Sequence, residues 1–130
     1  MKILRQGDVL LVQVAGLPEE CREKSVKGDI ILAHGEVTGH AHRIKSIPHA
    51  KLWYFGAERF LQVLEGAFVT KDICSTVVGI NGEPFKLRED KFPGVALRHE
   101  EHTAQVIEPG IYHVIIQTEY TPENLRRVAD

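Results

Sequence analysis

The chain has little of what several common classes of protein require. It has two cysteines, Cys21 and Cys74, and neither belongs to a Cys-x-x-Cys pair, so there is no disulfide framework and no thiolate metal knuckle. No apolar run approaches the roughly 20 residues of a membrane span. Positive charge is not in excess: the net charge is −2 with histidine neutral, which argues against electrostatic nucleic-acid binding. The first residues, Met1 to Asp8, lack an apolar h-region with a cleavage site, so no signal peptide and a cytoplasmic location are expected. Gly35 and Gly39 do not form a dinucleotide or Walker phosphate loop, and Ser25, Ser46 and Ser75 lack the context of a nucleophile elbow. No linker, repeat or low-complexity tract divides the 130 residues, which make one domain's worth of chain.

What remains is an ordinary globular composition, 43% hydrophobic and 26% charged, punctuated by single glycines and prolines at short intervals. That spacing predicts many short strands. Val9 to Val14, Ile30 to Ala33, Leu52 to Phe55, Arg59 to Leu64, Val95 to His99, Thr103 to Ile107 and Ile111 to Thr118 all read as strands. Glu108-Pro109-Gly110-Ile111 carries a type II turn signature, which predicts a hairpin between the last two. Thr121, Pro122 and Glu123 suit the start of a helix, with Leu125, Val128 and Ala129 on one face. The expected fold is all-β: a small barrel or sandwich of about eight short strands with one C-terminal helix.

Histidine is the conspicuous residue. There are seven, and protonating all of them would carry the net charge from −2 to +5. Four lie in two tight pairs. His40 and His42 end the segment His34-Gly35-Glu36-Val37-Thr38-Gly39-His40-Ala41-His42. In an unbroken strand His34, Glu36, Thr38, His40 and His42 share one face, unless the glycines bend it. His99-Glu100-Glu101-His102 is the second pair, opposed across a two-residue hairpin or brought together by one helical turn.

If the two pairs meet, His40, His42, His99 and His102 form a site for a divalent transition metal, zinc being the expected ion. Such an ion brings the pKa of a bound water toward about 7. Glu36 or Glu101 is then the proton shuttle, and Glu100 is a further candidate ligand or orienting group. This gives the leading expectation, a metal-dependent enzyme that hydrolyses or hydrates a small-molecule substrate. Histidines in such strands also serve as polar surface or hydrogen-bonded core groups. The competing expectation is therefore a non-catalytic β-barrel module for binding or assembly, with structural histidines or a structural metal. His49 and His113 read as structural. Gln117 and Glu119 share a face with His113 and Ile115 and read as a capping network at the helix entry. Edge pairing between copies predicts a homo-oligomer.

Two resemblances follow from these residues. The His-x-His with a later histidine resembles the cupin pattern, but the glutamate that pattern places about four residues on is missing from Ile44 to Ile47, so no cupin activity is inferred. Arg5 to Leu11 (RQGDVLL), Gly35 to Ile44 (GEVTGHAHRI), His99 to His102 (HEEH), Pro109 to Tyr112 (PGIY) and Gln117 to Pro122 (QTEYTP) resemble a family of small bacterial and phage proteins of uncharacterised activity. That resemblance spans the two outer thirds of the chain and implies no reaction.

Overall fold

The computed structural model describes residues 2–35, 39–45, 48–70, 76–78, 84–86, 91–100, 102, 104–120 and 125–127. The strands, in chain order, are β1 (Ile3–Gln6), β2 (Val9–Val14), β3 (Arg22–Lys24), β4 (Ile30–His34), β5 (Ala41–Ile44), β6 (Ala50–Phe55), β7 (Glu58–Val63) and β8 (Phe68–Thr70). They continue with β9 (Thr76–Val78), β10 (Pro84–Lys86), β11 (Lys91–Pro93), β12 (Val95–Leu97), β13 (Gln105–Ile107), β14 (Gly110–Ile116), β15 (Thr118–Tyr120) and β16 (Leu125–Arg127). The all-β expectation holds, with more and shorter strands than anticipated. Among the described residues no sheet closes into a barrel.

The largest sheet has six strands in the order β1-β2-β14-β7-β6-β3. Its sequence logic is alternation. Val9 and Leu11 of β2 are fully buried, and β14 lies antiparallel between β2 and β7, pairing Val114 with Leu11 and Tyr112 with Leu61. β6 and β7 form a hairpin that turns at Gly56, whose positive φ of 59° suits glycine. The buried face of this sheet shares one core cluster with Ile30 and Leu32 of β4, Ile44 of β5, Val95 and Leu97 of β12 and Ile107 of β13. Each fully buried Leu, Ile or Val contributes about 1.5–3 kcal/mol of transfer free energy. The core therefore fixes β4–β5 and β12–β13 against the sheet, and the candidate site lies on those elements.

Two expectations are corrected. The strands on either side of Pro109-Gly110 do not form a hairpin. β13 pairs with β12 and touches β9, whereas β14 pairs with β2 and β7, so the turn carries the chain from one sheet to another. A turn signature sets a local reversal; the partner strand is set by which apolar face needs covering. The C-terminal helix is also absent from the described residues. β15 and β16 pair antiparallel, with Thr118 opposite Arg127 and Tyr120 opposite Leu125. A helix of eight or nine residues is marginal by itself. Here the extended backbone leaving β14 offers Leu125–Arg127 a ready partner for their peptide groups.

Candidate histidine site

Three segments converge on His42. The first is the β1–β2 turn, where Gly7 has φ +56° and Gln6 pairs with Val9. This tight reversal turns Asp8 inward, and Asp8 and Gln6 are 0% and 1% exposed. The second is the β4–β5 hairpin, in which the register shifts between Ile31 and Ala33. That bulge lets Leu32 enter the core while Ala33, rather than Leu32, stands opposite His42. The third is the connection from β12 to β13, which holds His99 and His102.

Backbone bonds join the third segment to the second. Arg43 and Arg98 form an isolated antiparallel bridge, N–H to C=O at 2.8 and 2.9 Å. Glu100 strengthens the junction. Its Oε2 accepts the Ala41 N–H at 3.0 Å, and its Oε1 lies 3.1 Å from Arg43 Nη2. The Ala41 N–H, then its own backbone N–H and the Arg43 guanidinium, hold the Glu100 carboxyl below the usual carboxylate range. Glu100 is thus a clamp that holds the two histidine segments in register.

The clamp brings the two pairs together. Ring centroids are 4.4 Å apart for His42 and His99, 4.6 Å for His99 and His102, 5.8 Å for His42 and His102, and 6.0 Å for His40 and His99. Gly35 makes room for them: a Cβ there would lie 2.9 Å from His99 Nε2 and 3.2 Å from His40 Cβ. His42 is 0% exposed and His99 8%.

The protonation of His42 can be read from its neighbours. Gln6 Nε2 donates to the Leu97 carbonyl at 3.0 Å, which makes Gln6 Oε1 the acceptor facing His42 Nδ1 at 2.8 Å. Nδ1 therefore carries a proton. The other nitrogen, Nε2, is 3.2 Å from Asp8 Oδ1. At that separation the two groups are within ion-pair range. Two ligands of a tetrahedral zinc with bonds of about 2.0–2.1 Å are roughly 3.3 Å apart. The Gln6 bond fixes the orientation of the His42 ring, as an outer contact would for a ligating imidazole.

The remaining sequence candidates divide clearly. His40, His42, His99 and His102 gather in one cluster. Glu36 and Glu101, the expected proton shuttles, lie outside the described residues. The single alternating face from His34 to His42 does not form, because the chain reverses between Gly35 and His40: the Gly35 N–H donates to the His40 carbonyl at 2.7 Å, and His34 stands opposite Ala41. Nor is His99–His102 a two-residue hairpin, since β12 ends at Leu97 and β13 begins at Gln105. His113 stacks on Phe60 with centroids 4.9 Å apart, and the His49 backbone carbonyl accepts the Leu64 N–H. Gln117 leads into β15 rather than into a helix, and its N–H donates to the Asp8 carbonyl at 2.8 Å. Sequence reading missed Gln6 and Asp8. Asp8 reads as an ordinary turn residue, and the signal that marks it is its place in Arg5-Gln6-Gly7-Asp8, beside the first core strand. Among the described residues no three His, Cys, Asp or Glu side chains stand in metal-binding geometry.

Fold and site together define a small all-β protein whose core contains a histidine- and carboxylate-lined polar cluster. Residues 5–75, more than half of the chain, match the model of a domain of unknown function, DUF8820, and the chain belongs to that family. The matched span includes Gln6, Asp8, His40 and His42 and stops before His99. No curated protein and no solved structure matches the chain. Among the described residues no helix is long and apolar enough to cross a membrane.

Proposed function

We propose that the cluster is the metal centre of an enzyme that acts on a small-molecule substrate by hydrolysis or hydration. The observation that carries this reading is the Asp8–His42 contact: a carboxylate oxygen and an imidazole nitrogen, fully buried and 3.2 Å apart, with the far ring nitrogen held by Gln6. Asp8 and His42 would be the fixed pair of ligands. His99 and His102, whose Nε2 atoms are buried, would supply the others. A bound divalent ion such as zinc would supply an activated water at neutral pH. Glu36 and Glu101 flank the histidine segments in sequence and are the proton carriers of this reading. Glu100 is not among them, because its oxygens are committed to Ala41 and Arg43.

A second reading has its own support. Both nitrogens of His42 face protein oxygens, as they would in a buried imidazolium that needs no metal. In that case the chain is a non-catalytic β module for binding or assembly. Cobalt(II) substitution separates the two. If the enzyme reading is right, the protein takes up cobalt and its visible spectrum shifts when azide is added, because a catalytic site keeps an open position. A cobalt spectrum indifferent to azide, or no cobalt uptake, favours the structural module.

A further inference from the structure

Apart from the cluster around His42, a cleft of about 450 Å³, with His34 in its lining, opens where β3, β4, β6 and β7 meet. We infer that it binds a phosphate monoester, with the phosphate on Lys24, Lys27 and Arg59 and the carbon portion against Val26 and Ile31. The volume lies within the range of roughly 300–1,000 Å³ typical of small-molecule pockets.

Charge is the first argument. The chain as a whole is acidic, with a net charge of −2, yet this cleft gathers Lys24, Lys27 and Arg59 against a single carboxylate, Asp29. Asp29 itself faces outward cation: its Oδ2 is 4.0 Å from Arg43 Nη1. The neighbouring acid, Glu23, alternates to the other side of β3 and reaches Lys51 at 3.5 Å. The cleft therefore carries a local field of the opposite sign to the molecule. Clefts lined by one charge concentrate counter-ions of the other.

Preorganisation is the second. In register, Lys24 stands opposite Leu52 and Tyr54 opposite Arg59, so Lys24, Tyr54 and Arg59 lie on one face of the sheet. Tyr54 holds the Lys24 ammonium, with Nζ 3.3 Å from its hydroxyl and 5.2 Å above its ring. That contact restrains a side chain that otherwise loses much rotamer freedom on binding. The third argument is the opposite wall. Ile31 is 36% exposed, a large aliphatic side chain open to the cleft, which suits a ligand with a carbon portion more than a free inorganic ion. The inference stands whether or not the histidine cluster takes a metal.

Isothermal titration of the full chain with adenosine monophosphate and with pyrophosphate, at low ionic strength, tests it. Saturable binding of adenosine monophosphate is expected, tighter than that of pyrophosphate. Lys24→Ala/Lys27→Ala changes only exposed side chains and should weaken it by at least about tenfold, as should Arg59→Gln. Lys45→Ala, outside the cleft and matched in charge to Arg59→Gln, should leave it within about twofold. No saturable binding to the wild type overturns the inference. So does pyrophosphate binding as tightly as the monophosphate, cleft variants that bind like wild type, or an equal loss in Lys45→Ala. Thermal melts of each variant confirm that it is folded before titration.

Discussion

A double-mutant cycle on Asp8 and His42 probes the polar core directly. The two groups are fully buried, and their facing atoms are 3.2 Å apart. Asp8→Asn or His42→Gln changes one side of this buried contact and leaves the other side without its matched partner. Breaking a buried pair from one side costs about 3–5 kcal/mol. That is a large share of the roughly 5–15 kcal/mol by which domains are stable. For a chain of this size it corresponds to a fall in Tm on the order of 10 °C or more. The double variant removes both partners and should recover part of the loss, giving a coupling energy of about 2 kcal/mol or more by urea unfolding. Groups that do not interact add within roughly 0.5 kcal/mol, so additivity would refute the reasoning.

Other consequences can be measured on single variants. Gly35→Ala places a methyl group 2.9 Å from His99 Nε2 and should displace that ring, at a cost of about 1–3 kcal/mol by overpacking; an unchanged urea midpoint and unchanged His99 ring signals in NMR would count against the packing described. Tyr112 is buried, donates to the Glu108 carbonyl at 2.7 Å, and has its phenol pushed up to about 12 by burial and then by the Glu108 charge. Its folded pKa exceeds the ordinary value of about 10, so the folded state loses stability as pH rises from about 10 toward 12. Tyr112→Phe should flatten that alkaline loss while lowering stability at pH 7 by about one hydrogen bond, on the order of 1 kcal/mol; an alkaline profile identical to wild type would show the assignment to be wrong.

Strands were legible where one face is apolar and the other is not. Val9 to Val14 is β2 residue for residue, and Leu52 to Phe55 and Arg59 to Leu64 fall on β6 and β7 with Gly56 at the turn. Pairing was not legible, because alternation marks a face and says nothing about the neighbour. Hence the misplaced hairpin at Pro109-Gly110, and hence the helix at the C-terminus, where local capping signals compete with an open strand partner. The same limit governs the site. Two histidine pairs some 60 residues apart carry a visible ligand pattern, but their meeting depends on the Arg43–Arg98 bridge, a backbone contact with no residue signature. Asp8 was hidden for the opposite reason. An aspartate after glycine is common in exposed turns, and only the depth of the β1–β2 turn makes this one a buried carboxyl.

The central claim is that a metal ion takes the place between Asp8 and His42. Elemental analysis of untagged protein, purified without chelators, tests it most directly when run beside Asp8→Asn and His40→Ala/His42→Ala. The account predicts about one equivalent of a divalent transition metal per chain, most often zinc, and its loss in both variants. Wild-type protein without metal, and with no uptake of zinc, iron, nickel or manganese at pH 7.5, would contradict it and leave the cluster as a buried ion pair in a binding module.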